Sequence, residues 1–185
     1  MKKLGTLALA MGTLSAIALT PANSGLKVGE MVSAFHPSHV TGPHKGTDAC
    51  PPCTYGNLPQ VQVWVNGDSP ENVAAVAKLL NQAMADKKSS KLKGFVIFLT
   101  PDGQTKTTAS MIEGLATKTG VSDVCMAYLS TKNEAVEDYK VNTGSDIKNT
   151  IFVYRDRTVK SKFVNLKADK KGLAELSAAI DGITK

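Results

Sequence analysis

Beyond Leu19 the 185-residue sequence has no apolar run long enough to cross a membrane, which excludes a bundle of spanning helices. It also lacks basic clusters interleaved with aromatics. The formal net charge is only +6 and is spread along the chain. The short lysine runs at 87 to 93 and 167 to 171 read as solvated helix ends, so no nucleic-acid partner is expected. No Ser/His/Asp set, phosphate-cradling glycine loop or paired-carboxylate signature stands out. Glycine and proline, at 15 and 8, are in ordinary supply, which excludes collagen-like, low-complexity and wholly disordered chains. With 42% hydrophobic residues, what remains is a globular domain with one core of ordinary size.

The first 22 residues stand apart from that domain. A positive start at Met1-Lys2-Lys3, an uncharged apolar run from Leu4 to Leu19, and Thr20-Pro21-Ala22 together describe a secretory signal peptide. The run falls short of a spanning helix, so cleavage after Ala22 is expected, leaving no stable membrane span. A periplasmic or extracellular location follows as an expectation.

Residues 23 to 59 read as an N-terminal loop segment, rich in proline and glycine and holding all three histidines. One apolar alternation, Met31 to Phe35, suggests an edge strand. From residue 60 to 185 the pattern turns regular and reads as the core of the same domain. Gln60 to Asn66 is a strand. Ser69-Pro70 supplies a cap and a first-turn proline for a helix to about Lys87. Gly94 to Thr100 and Val124 to Leu129 read as buried strands around a helix over about 107 to 119. A short helix at 133 to 140, a hairpin turning at Arg155-Asp156-Arg157, and a helix over 169 to 183 complete the chain. Strands separated by helical segments imply parallel neighbours, and the hairpin adds antiparallel edges. The fold class is therefore α/β, a mixed sheet between helical layers.

Chemistry concentrates in the N-terminal segment. In an oxidising compartment two cysteines three apart usually form a disulfide, so Cys50-Pro51-Pro52-Cys53 is the leading candidate site. Three readings follow. A redox-active pair would have the more exposed cysteine attack and the other resolve, with Cys50 expected as nucleophile and Cys53 as resolving thiol. A structural bridge would pin a long loop. A copper or zinc site would use His36, His39 and His44, which lie within 18 residues of the pair, although the spacing matches no standard finger. Otherwise no cofactor is expected. Cys125, between Val124 and Met126, reads as a small buried hydrophobe, and Trp64 as core.

The element order, ending in a hairpin and an amphipathic helix, is similar to the thioredoxin fold, particularly its exported peroxiredoxin-like branch. Lys27-Val28-Gly29-Glu30-Met31-Val32-Ser33-Ala34-Phe35 resembles that branch's opening segment, and Thr150 to Val159 its closing hairpin. The resemblance implies a thioredoxin-like three-layer sandwich and, as partners, protein thiols and disulfides or a small peroxide. It also marks two departures. The family's Cys-X-X-Cys follows the first long strand and opens a helix, whereas Asn66-Gly67-Asp68-Ser69-Pro70 stands there without cysteine. The family's cis-proline before the hairpin strand is replaced by Lys148-Asn149-Thr150.

Overall fold

The strands implied by the apolar runs assemble into one six-stranded mixed sheet in a computed structural model that describes residues 23–185. The expected leader, residues 1 to 22, lies outside the described residues. In chain order the elements are β1 (Ser38–His39), α1 (Pro51–Tyr55), β2 (Gln60–Val65), α2 (Pro70–Asp86), β3 (Lys93–Thr100), α3 (Thr105–Thr119), β4 (Cys125–Ser130), α4 (Glu134–Asp138), β5 (Asn149–Arg155), β6 (Thr158–Val164) and α5 (Lys170–Ile183). A single 3-10 turn at Lys88–Ser90 follows α2.

The sheet order is β1-β4-β3-β2-β5-β6. Strands β2, β3 and β4 run parallel, as their helical connections require, while β5 and β6 are antiparallel. Alternation along the strands divides the core in two. Val61, Val63, Val65, Val96 and Phe98 meet α2, α3 and α5 on one face. Trp64, Phe95, Ile97 and Phe152 meet α4 and the N-terminal segment on the other. This is a three-layer thioredoxin-like sandwich.

The segment read as loop contains two short elements. Ser38–His39 pairs with β4 as an edge strand, and Pro51–Tyr55 is helical. The strand expected over Met31 to Phe35 reduces to a single bridge between Met31 and Thr158. Phe35 is buried by packing on the Trp64 and Tyr139 rings at 5.2 and 5.3 Å, not by sheet pairing.

Two glutamines in the central strand have partners that explain them. Trp64 Nε1 donates to Gln62, Gln62 Nε2 to the Tyr154 hydroxyl, that hydroxyl to Gln60, and Gln60 Nε2 to the Gly56 carbonyl. The chain satisfies four buried side chains and ties the sheet interior to the end of α1.

Candidate functional site

Helix α1 exists because Cys50 is extended and caps it, its sulfur accepting from the Cys53 N–H at 3.2 Å. Pro51 and Pro52 occupy the first turn, where a missing N–H costs nothing. Gly56, at φ 51°, stops the helix after five residues and turns the chain into β2. Cys50 and Cys53 form a disulfide across this turn, with Cα atoms 5.2 Å apart. The pair thus opens a short helix, which corrects its expected placement in open loop. That helix precedes the central strand, whereas the family pattern places it after the strand.

The two cysteines of the bridge differ in solvent access. Cys50 is 5% exposed and Cys53 is exposed.

The three histidines fasten the approach to Cys50. Exposed His36 donates from Nδ1 to the Asp48 carbonyl and buried His39 from Nε2 to the Ala49 carbonyl, both at 2.9 Å. His44 Nε2 shares a 2.7 Å hydrogen bond with the Tyr55 hydroxyl. His39, His44, Phe95 and Tyr55, the last residue of α1, form a continuous ring cluster. Burial pushes the His39 pKa down, only partly opposed by its bond to Ala49, and its Nδ1 has no partner. Among the described residues no group of three or more His, Cys, Asp or Glu side chains is gathered as metal ligands. His36, His39 and His44, expected as alternative copper or zinc ligands, each hydrogen-bond within the segment that carries the disulfide.

Tyr55 escaped the sequence reading, although its place two residues after Cys53 was visible; its partner His44 is brought to it by the turn at Gly42 and Gly46. Cys125 is free and buried, as expected of a core residue, and lies under the same loop. A Cβ on Gly42 would sit 2.9 Å from the Cys125 Cα. Burial raises the Cys125 thiol pKa, with a backbone hydrogen bond from His44 pulling the other way.

At the opposite end of β2, the position of the family's usual redox site holds an amide network. The Asp68 carboxylate accepts from Asn72 and Asn149 at 2.7 Å each. Both amides also donate to the Leu166 carbonyl. Asn149 belongs to the Lys148-Asn149-Thr150 stretch that stands without proline, and no cis peptide occurs among the described residues. Ser69 caps α2 through Asn72, as its sequence signature implied.

No family model matches the chain, and no curated protein matches it. Solved structures do. A Chlorobium tepidum chain provisionally named the thiol:disulfide interchange protein DsbE is 16% identical, with 86% of this chain and 99% of that one covered at a TM-score of 0.63. A thiol peroxidase from Chromobacterium violaceum is 11% identical over 85% and 88% at 0.57. A secreted Mycobacterium tuberculosis disulfide oxidoreductase is 14% identical over 80% and 95% at 0.54. The fold is thioredoxin-like, of the kind on which thiol-redox proteins are built.

Proposed function

We propose that the protein is an exported thiol-disulfide exchange protein acting through Cys53 and Cys50. The observation that carries this reading is the exposure of Cys53 beside a buried partner in a disulfide between residues only three apart. In the reducing direction the Cys53 thiolate attacks a substrate disulfide, forming a mixed disulfide and releasing one substrate thiolate. Cys50 then attacks the Cys53 sulfur, releasing the second thiol and closing the intramolecular bridge. Two electrons pass to the substrate, and an external thiol must restore the pair. The neighbours' names support protein disulfides or a peroxide as the substrate class. The pair works at the opposite end of the sheet from the family's usual site.

A second reading, a non-catalytic domain in which the bridge is only a staple, is favoured by the amide network that fills the family's usual site. The reduction potential separates the two. Equilibration with glutathione buffers is expected to give a potential above about −300 mV, and a value below that assigns the bridge to structure. Cys53→Ser is expected to abolish exchange with a protein disulfide.

A further inference from the structure

Helices α2 and α3 lie side by side on the face away from the disulfide, touching along only part of their length. Between them runs a cleft of about 790 Å³, within the range of small-molecule sites. Its walls are stripes at helical spacing: Ala74 and Lys78 from α2, and Met111, Leu115 and Lys118 from α3, over a floor of Val65 and Phe98. A side chain at Gly114 would meet nothing within 4 Å, so the gap between the helices is open there. Met111 is 44% exposed, and no element of the described chain covers it.

Charge along the cleft is polarised. Lys78 and Lys118 stand at one mouth, and neither is in a salt bridge among the described residues. Asp68, Glu71 and Lys148 gather at the other. From Pro70 to Lys78 the groove follows α2 for about 12 Å at 1.5 Å per residue. That length suits a chain of roughly eight to ten methylenes. An apolar trough ending in two free cations matches a molecule with a hydrocarbon tail and an anionic head.

We propose that this groove binds a single-chain amphiphilic anion of the medium-chain carboxylate class, with its tail on Met111 and Leu115 and its head between Lys78 and Lys118. The site is separate from Cys50 and Cys53, since strand β2 stands between them. Titration of the protein with decanoate, decyltrimethylammonium and 1-decanol below their micellar concentrations, followed by amide chemical shifts, tests it. Decanoate is expected to bind saturably and about tenfold more tightly than the cation, with shifts centred on 111 to 118. Lys78→Glu with Lys118→Glu is expected to reverse that preference. Gly114→Leu, a favourable change on an exposed helical position, is expected to fill the trough and remove binding while thermal stability is kept or raised and disulfide exchange stays unchanged. Absent saturation, equal affinity for anion and cation, or undiminished decanoate binding by folded Gly114→Leu overturns the proposal.

Discussion

Three cysteines occupy three environments, and their environments rank their reactivity. Cys53 is exposed, Cys50 is 5% exposed, and Cys125 is buried with its thiol pKa raised by that burial. After reduction, iodoacetamide is expected to label Cys53 at least about tenfold faster than Cys50, with Cys125 slowest, as read by peptide mass spectrometry over time. Equal rates at Cys50 and Cys53 would remove the role assignment. His39 carries a pH dependence. As a base whose pKa burial depresses, it binds fewer protons folded than unfolded. Its contribution is therefore full above the unfolded value of about 6.5 and is lost as pH falls below it. His44 and Asp48 face the same ring with opposite signs, and burial outweighs both. The drop in melting temperature from pH 7.5 to 5.0 is expected to shrink in His39→Gln, which keeps a donor for the Ala49 carbonyl.

Periodicity reveals an element only when the element is long enough to repeat. The helices α2, α3 and α5, with 17, 15 and 14 residues, show their apolar stripes in sequence, and the five long strands show their apolar runs. The two-residue β1 and five-residue α1 are too short to repeat their periods of 2 and 3.6 residues, and the prolines that open α1 read equally well as loop. The hairpin was legible from its flanking strands, though its turn is unusual. Asp156 and Arg157 both adopt left-handed φ, 55° and 57°, the type I′ geometry that favours Asn-Gly. Asp156→Asn with Arg157→Gly is expected to raise stability by about 0.5–1 kcal/mol in urea unfolding, because both positions shed left-handed strain. Their backbone bonds to Asn57 and Val32 are kept.

Across the molecule, the N-terminal segment is held by aromatic packing on the sheet and by its histidine bonds, and the disulfide adds little to that hold. Closing a loop of about four residues stabilises by only about 2 kcal/mol in the chain-entropy account. Reduction is therefore expected to lower the unfolding free energy by no more than about that amount, with one cooperative transition retained. Reduction that unfolds the domain would favour the staple reading. Sequence alone determined the layered α/β architecture, because apolar spacing depends on which residues are neighbours along the chain. It also located the cysteine pair and the absence of cysteine and proline at the family's usual site. Only tertiary structure decided which sulfur faces solvent, that the histidines bind loop carbonyls and a tyrosine hydroxyl, and that α2 and α3 leave a trough between them. Those are contacts between residues distant in sequence, set by how the layers pack, and no local pattern encodes them.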